Sequence, residues 1–172
     1  MSKSFVIFDR DGTLIELVPY LKEIDQVIFK PDLIEALQLL NRQSFNFGII
    51  TNQSGISRGF FDDRQVAKIN EFIKNYLQPF QIKFEFIYFC PHTPENNCEC
   101  RKPNTALGEL AVKNFDIDIN RSFMVGDQES DIKFGSRLGL KTVQICENLV
   151  NSTYPHFHSD TLMGAAKWII SQ

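Results

Sequence analysis

Short, mostly apolar runs alternate along the chain with segments in which the apolar residues recur every three or four positions. A short continuous apolar run is typical of a parallel strand that is buried on both faces. Five runs have this form: Phe5–Phe8, Phe47–Ile50, Phe84–Cys90, Phe123–Val125 and Thr142–Ile145. We predict five strands from them.

The helically spaced segments lie between these runs and after the last one. Asp62 and Gln65 have the spacing of a capping box, which marks the start of one helix. Residues 14–30 and 147–160 are predicted to be irregular, and the first of these is long enough to be functional. The predicted helices are 31–43, 62–77, 106–111, 129–138 and 161–170, the last of which would bury Trp168 and Ile169. Alternating strands and helices predict an open α/β fold, with a parallel sheet of about five strands and helices on both faces.

The composition predicts a single domain over residues 1–172. Hydrophobic residues make up 43% of the chain, and the net charge of −3 predicts neither a nucleic acid nor a membrane surface as partner. No apolar run approaches the roughly 18 residues that span a bilayer. The apolar residues before Asp9 are too few to form the hydrophobic region of a signal peptide. We therefore expect a cytoplasmic protein, whose thiols stay reduced.

Polar side chains follow three of the predicted strands. They are Asp9 and Asp11 after the first, Thr51 and Asn52 after the second, and Asp127 and Asp131 after the fourth. The carboxyl ends of parallel strands form the edge at which open α/β sheets bind ligands. Four carboxylates gathered there would repel one another without a cation, and acidic sites rich in oxygen suit Mg²⁺. Asp127 taken alone could instead cap the following helix, but the other two strand ends favour the metal site.

A basic pair, Arg101 and Lys102, follows the third strand and precedes a helix. Such a pair is usually a solvated surface feature. A cation beside an acidic cluster can also orient a phosphate group and offset its repulsion from the carboxylates. The place of the pair between a strand and a helix favours a role in the site.

The segment before this pair contains a cluster of possible metal ligands, Cys90, His92, Cys98 and Cys100. Three thiolates and one imidazole at this spacing match a structural zinc site with four ligands. A disulfide is the alternative, but a reducing compartment and the presence of His92 favour zinc. Because four protein ligands leave no open position, the metal would fold the loop 90–102 and direct its basic pair towards a phosphate.

The order of these motifs resembles the haloacid dehalogenase (HAD) superfamily of phosphatases. The matching motifs cover residues 5–145 and are Asp9-x-Asp11-Gly12-Thr13, Thr51-Asn52, Lys102 and Gly126-Asp127 with Asp131. The resemblance implies a three-layer, Rossmann-like sheet and hydrolysis of phosphate esters through an aspartyl phosphate.

The same resemblance implies a role for each motif. Asp9 would be the nucleophile, and Asp11 would be the general acid and base. The side chains of Asp9 and Asp127 and the backbone carbonyl of Asp11 would bind Mg²⁺, with Asp131 supporting them from behind. The phosphoryl oxygens would be held by Thr51, Asn52 and Lys102.

Within the superfamily, the cysteine loop followed by Arg-Lys-Pro resembles the branch of the D-glycero-D-manno-heptose 1,7-bisphosphate 7-phosphatases and the histidinol-phosphate phosphatases. Members of this branch lack a large cap domain. Residues 19–31 and 51–59 are similar to the heptose enzymes, although Pro19 and Thr105-Ala106 depart from the usual pattern. The residues assigned to substrate binding on this basis are Tyr20, Asn52, Gln53, Ser54, Arg58 and Arg101.

We therefore expect a monomeric enzyme that acts on a small phosphorylated metabolite, with a heptose bisphosphate as the favoured substrate. Histidinol phosphate or another small sugar phosphate is the alternative within the same enzyme class. A binding module stabilised by zinc on a decayed phosphatase fold is the alternative outside it.

Overall fold

The computed structural model describes residues 2–149 and 153–172. Within these residues the chain forms six strands, five α-helices and several short 3₁₀ turns. The strands are β1 Phe5–Phe8, β2 Asn46–Asn52, β3 Phe84–Cys90, β4 Phe123–Gly126, β5 Lys141–Ile145 and β6 Phe157–Ser159. The helices are α1 Leu33–Arg42, α2 Asp63–Leu77, α3 Ala106–Phe115, α4 Glu129–Leu138 and α5 Leu162–Ile170.

All six strands pair in parallel in one sheet, in the order β3-β2-β1-β4-β5-β6. The chain builds outward from β1 to β2 and β3 on one side, and then returns to build β4, β5 and β6 on the other. The direction of winding therefore reverses between β1 and β4. In open α/β sheets the ligand site lies at such a reversal, beyond the carboxyl ends of the strands.

Two apolar clusters cover the two faces of the sheet. Side chains alternate along β1, so that Val6 and Phe8 pack with α1, α2 and α5, whereas Phe5 and Ile7 pack with α3 and α4. All four residues are at most 2% exposed. This burial on both faces explains why β1 is continuously apolar and not alternating.

The predicted open α/β fold is confirmed, and the observed elements closely match those predicted. The capping box is also present, because the Gln65 N–H donates to Asp62 Oδ1 at 3.0 Å and the Asp62 N–H donates to Gln65 Oε1 at 3.0 Å. Among the described residues, no helix is both long and apolar enough to cross a bilayer.

The prediction that all of 147–160 is irregular is wrong for β6, the sixth strand, while residues 150–152 lie outside the described chain. This edge strand has only three residues and pairs through Phe157, His158 and Ser159 with β5. Trp168 is half-buried, and its ring stacks on Phe157 with 5.2 Å between the ring centroids. The last helix thus covers the edge of the sheet with Trp168 and buries Ile169 in the core.

Candidate active site

The polar side chains predicted at the ends of β1 and β4 lie together at the winding reversal. Asp9 directly follows β1, and its N–H donates to the carbonyl of Val125 in β4 at 2.9 Å. Asp127 directly follows β4, and Asp131 lies in the first turn of α4. One carboxylate oxygen from each of Asp9, Asp127 and Asp131 lies within 4.8 Å of the others. These three residues form what we call the carboxylate cluster.

Glycine at position 12 allows the two segments to approach this closely. Gly12 has a φ of +83°, which lies in the left-handed region that favours glycine. A β-carbon at this position would collide with the Asp127 carboxylate. Thr13, in the same turn, donates from Oγ1 to Asp127 Oδ1 at 3.4 Å. The turn after β1 therefore fits against the side chain that follows β4.

Lys102 places a positive charge inside the carboxylate cluster. Its Nζ lies 2.9 Å from Asp9 Oδ1 and 2.7 Å from Asp131 Oδ1, and it donates to the Ile50 carbonyl at 2.6 Å. Burial would lower the pKa of Lys102, but the carboxylates of Asp131 and Asp9 outweigh that effect and raise it. The lysine is therefore charged at neutral pH and has an acceptor in each of three directions.

One ammonium group does not balance three carboxylates. Burial, followed by the negative charge of Asp9, raises the pKa of Asp127 to about 6. Burial likewise raises the pKa of Asp131, although Lys102 opposes the rise. The surroundings of Asp127 and Asp131 thus oppose the ionisation of both carboxyl groups, and a gathering of oxygen donors of this kind fits a site for a hard divalent cation.

Asp11 does not join the cluster through its side chain. Arg10 Nε donates to Asp11 Oδ2 at 3.0 Å, and Gln53 Nε2 donates to the same oxygen at 2.7 Å. Gln53 also donates to Thr51 Oγ1 at 3.0 Å. Gln53, which was assigned to substrate binding, is thus buried between Thr51 and Asp11. Sequence reasoning assigned no role to Arg10, because its position between two aspartates does not reveal where its side chain lies.

Two further residues assigned to phosphate or substrate binding direct their side chains to the backbone. Asn52 Nδ2 donates to the Lys102 carbonyl at 3.1 Å, and Asn52 Oδ1 accepts from the Lys102 N–H at 3.0 Å. Arg101 Nη1 donates to the carbonyl of His92 at 3.0 Å. Asn52 therefore clamps the lysine to the end of β2, and Arg101 braces the cysteine loop.

A small cavity of about 150 Å³ adjoins Asp11. Its polar lining includes Tyr20, Asn52, Gln53 and Ser54. The Tyr20 ring lies 4.4 Å from the ring of Phe60, centroid to centroid, and so connects the two loops beside the cavity. Arg58, the remaining residue assigned to substrate binding, is exposed and is not part of this lining.

The ligand atoms of the cysteine loop converge on one point. The sulfur of Cys100 lies 3.1 Å from that of Cys90, 3.4 Å from that of Cys98 and 3.2 Å from His92 Nδ1. Tetrahedral zinc with bonds of about 2.3 Å to sulfur would hold its sulfurs about 3.8 Å apart, so the four donors are close to the required spacing. The donor set fits a zinc ion without major rearrangement.

The cysteines of the loop are not joined by disulfides. All four cysteines of the chain are free. Burial raises the pKa of Cys98, but hydrogen bonds with Cys100 and Cys90 outweigh it and lower the value to about 7. Burial instead raises the pKa of Cys90 and that of Cys100. Cys98 is therefore the thiol of the loop that most readily forms a thiolate, which is the form that binds a metal.

Comparison with known proteins assigns the family. Residues 99–149 match the HAD-hydrolase-like family model. The chain is 39% identical over 145 residues to the D-glycero-beta-D-manno-heptose-1,7-bisphosphate 7-phosphatase of Pasteurella multocida, covering 81% of this chain and 79% of that protein. The chain belongs to the HAD-type phosphatases. Both the expected family and the expected enzyme class are confirmed.

Other relatives of this HAD-type phosphatase include bifunctional proteins. It is 33% identical to the histidine biosynthesis bifunctional protein HisB of Blochmanniella floridana, covering 84% of this chain but only 41% of that protein. Its fold matches the crystal structure of the D,D-heptose 1,7-bisphosphate phosphatase from B. bronchiseptica, solved with magnesium and phosphate. That match has a TM-score of 0.86 at 23% identity and covers 98% of both chains.

The raised pKa of Asp127 generates a prediction about stability. A carboxyl whose pKa rises from 3.8 to about 6 on folding stabilises the fold when protonated, and this contribution is lost as the pH rises through about 6. In the presence of a chelator at pH 7, Asp127→Asn should therefore be more stable than the wild type by about 1–3 kcal/mol. Urea unfolding measures the difference, which should disappear below about pH 4.

Asp160→Asn is the matched control, because Asp160 is exposed and lies outside the carboxylate cluster. It should leave the free energy of unfolding unchanged at both pH values. Excess Mg²⁺ should stabilise the wild type and not Asp127→Asn. Equal stability of Asp127→Asn and the wild type at pH 7 in chelator would contradict the electrostatic argument.

Proposed function

We propose that the chain is a magnesium-dependent phosphomonoesterase that removes the 7-phosphate of D-glycero-D-manno-heptose 1,7-bisphosphate through an aspartyl phosphate at Asp9. The observation that carries the reaction is the position of Asp9. Its carboxylate is buried at the winding reversal, 2.9 Å from the Lys102 ammonium and beside Asp127. The relatives at 36–39% identity that are named as heptose bisphosphate 7-phosphatases support the substrate.

In the first step, an Asp9 carboxylate oxygen bonds to phosphorus as the bond from phosphorus to the sugar oxygen breaks. Asp11 gives its carboxyl proton to the departing oxygen, which leaves as the alcohol. In the second step, a water oxygen bonds to phosphorus, the bond to Asp9 breaks, and Asp11 takes a proton from the water. Ester and water are thus converted to alcohol and inorganic phosphate. The Lys102 ammonium, whose three N–H groups already have acceptors, would stabilise the phosphoryl oxygens through its charge, and the Thr51 hydroxyl would donate to one of them.

The carboxylate cluster supports Mg²⁺ as the cofactor. The side chains of Asp9 and Asp127 and the backbone carbonyl of Asp11 would hold the ion, with Asp131 fixing Lys102 behind them. When bound, Mg²⁺ reduces the repulsion between the nucleophile and the phosphate and neutralises charge that develops during transfer. The related crystal structure with magnesium and phosphate is consistent with this assignment.

We also propose that the cysteine loop holds a structural zinc ion through Cys90, His92, Cys98 and Cys100. Cys100 lies two residues before Lys102, and Arg101 binds the carbonyl of His92. Ordering the loop would therefore order the backbone of the active-site lysine. A cytoplasmic location would keep the three thiols reduced and available as ligands.

Every ligand and catalytic group in this proposal comes from one chain, either from a strand of one sheet or from the segments that follow its strands. That supports a single hydrolase domain over residues 1–172 that works as a monomer. Histidinol phosphate remains the second candidate substrate, because the HisB proteins are 33–36% identical to this chain. The similarity of residues 19–31 and 51–59 to the heptose enzymes favours the bisphosphate.

Asp9→Asn tests the nucleophile. The substitution removes the attacking charge with little change in volume, so phosphate release should fall at least about 1000-fold while the circular dichroism spectrum is retained. Asp160→Asn, the same chemical change at an exposed position, should keep wild-type activity. Substantial phosphate release by Asp9→Asn would refute the aspartyl phosphate mechanism.

A panel of phosphate esters tests the substrate. We expect kcat/KM for a heptose 1,7-bisphosphate to exceed that for histidinol phosphate by at least about tenfold, because the sugar contacts must lower the free energy of the transition state. Both anomers of the bisphosphate and histidinol phosphate should be assayed with the same Mg²⁺-loaded protein. Preferential hydrolysis of histidinol phosphate would transfer the assignment to the second candidate.

Elemental analysis tests the metal of the cysteine loop. The purified protein should contain about one zinc per chain, and Cys98→Ser should reduce both the zinc content and the catalytic efficiency. Cys146→Ser is the matched control, since Cys146 lies outside the cluster and should leave both unchanged. A zinc-free preparation with full activity would reject the proposal.

A further inference from the structure

Arg10 is a buried cation for which the reaction described above has no use. Its side chain is fully buried, at 0% exposure, in the turn between the nucleophile Asp9 and the general acid Asp11. A buried guanidinium is costly unless its donors are paired. Its partners therefore show what the residue does.

All three guanidinium nitrogens of Arg10 are directed at two side chains. Nε lies 3.0 Å from Asp11 Oδ2, and Nη2 lies 3.0 Å from Oδ2 and 3.2 Å from Oδ1 of the same carboxylate. Nη1 donates to Asn70 Oδ1 at 2.9 Å. The planar fork of the arginine thus holds both oxygens of Asp11, and Asn70 holds the opposite end of the fork.

Asn70 interrupts an otherwise apolar face of α2. It is 7% exposed and lies on the helix side that also buries Ile69 and Ile73. A buried amide in such a position requires hydrogen bonds, and its bond to Arg10 connects α2 to the turn after β1. Gln53, which directly follows β2, donates to Asp11 Oδ2 at 2.7 Å, the same oxygen that accepts from Arg10 Nε. The Asp11 carboxylate is therefore held directly by Arg10 and Gln53, and Asn70 acts on it only through Arg10.

We propose that Arg10 is a positioning residue that fixes the carboxyl group of Asp11 for proton transfer to the leaving oxygen, with Asn70 holding Arg10 in place. The inference rests on the proposed function, in which the Asp11 proton moves to the sugar oxygen as phosphorus bonds to Asp9. Asp11 lines the same cavity as Tyr20 and Ser54. A carboxyl group free to rotate there would spend less time in reach of that oxygen.

The leaving group supplies a readout that a purely structural role would not move. An alkoxide leaves with difficulty unless it is protonated, whereas 2,4-dinitrophenolate leaves without a proton. Rapid mixing of 2,4-dinitrophenyl phosphate with Mg²⁺-loaded protein measures release of the phenolate in the first turnover, which reports only attack by Asp9. Single-turnover phosphate transfer from the heptose bisphosphate provides the second rate.

Arg10→Gln should lower the rate with the sugar phosphate by about 100-fold, the lower range for loss of general acid catalysis. The same variant should release dinitrophenolate within about threefold of the wild-type rate. Arg10→Lys keeps the charge but loses the planar fork, and its rate with the sugar phosphate should lie between those of the wild type and Arg10→Gln. Equal losses on both substrates would overturn the inference, because general damage to the site does not distinguish leaving groups.

Asn70→Ser tests the positioning role of Arg10 if Arg10→Gln does not fold. The shorter side chain moves the acceptor away from Arg10 Nη1 while the ion pair with Asp11 stays in place, and we expect a loss of about tenfold confined to the sugar phosphate. Asp62→Ala is the matched control, because it removes the cap of the same helix and touches neither Arg10 nor Asp11. Asn70→Ser behaving like Asp62→Ala would count against the proposal.

Two further variants separate failure of this inference from failure of the proposed function. Asp9→Asn should abolish the dinitrophenolate burst, and Asp11→Asn should show the same selective loss as Arg10→Gln. If either result fails, the proposed mechanism itself is wrong. If both hold and Arg10→Gln shows no selectivity, only the role of Arg10 is overturned.

Discussion

The site depends on burying more negative charge than nearby positive charge can balance. Among the described residues, the Lys102 ammonium is the one cation that pairs with the carboxylate cluster, and it lies against Asp9 and Asp131. Asp127 has no ion pair there, and its pKa rises to about 6 because of burial and the neighbouring Asp9. A divalent cation held between Asp9 and Asp127 would supply the missing charge. The proposed metal site and the proposed nucleophile therefore share one carboxylate.

The fold holds Lys102 in place from several directions. Asn52, at the end of β2, binds both the N–H and the carbonyl of Lys102, while Asp131 in α4 binds its ammonium group. The cysteine loop also helps to position the backbone of Lys102, because Cys100 lies only two residues before it. A charge fixed so fully needs little reorganisation when a phosphate arrives, which is the main source of electrostatic catalysis. A structural metal bound in the cysteine loop would therefore affect turnover through the position of Lys102.

Periodicity and motif order could predict the sheet, its helices and the residues at the strand ends, because each depends on local pattern. The edge strand Phe157–Ser159 escaped prediction because three residues carry too little periodicity to distinguish a strand from a loop. Side-chain direction was also out of reach. Nothing in the spacing of the motifs shows that Asn52 and Arg101 bind backbone carbonyls. Nor does it show that the Asp11 carboxylate lies outside the carboxylate cluster and pairs with Arg10. Such contacts depend on segments far apart in sequence, as with Asn70 in α2.

The two buried cations of the site have geometries that suit different tasks. Lys102 is a compact charge with three donors, and its three acceptors are the Ile50 carbonyl, Asp9 and Asp131. Arg10 is a rigid fork, and its partners are the two oxygens of one carboxylate and a single amide. Exchanging the two residue types would leave donors or acceptors unpaired at both places. Because Arg10 keeps the Asp11 side chain out of the cluster, a cation bound there would leave the Asp11 carboxyl group available for proton transfer.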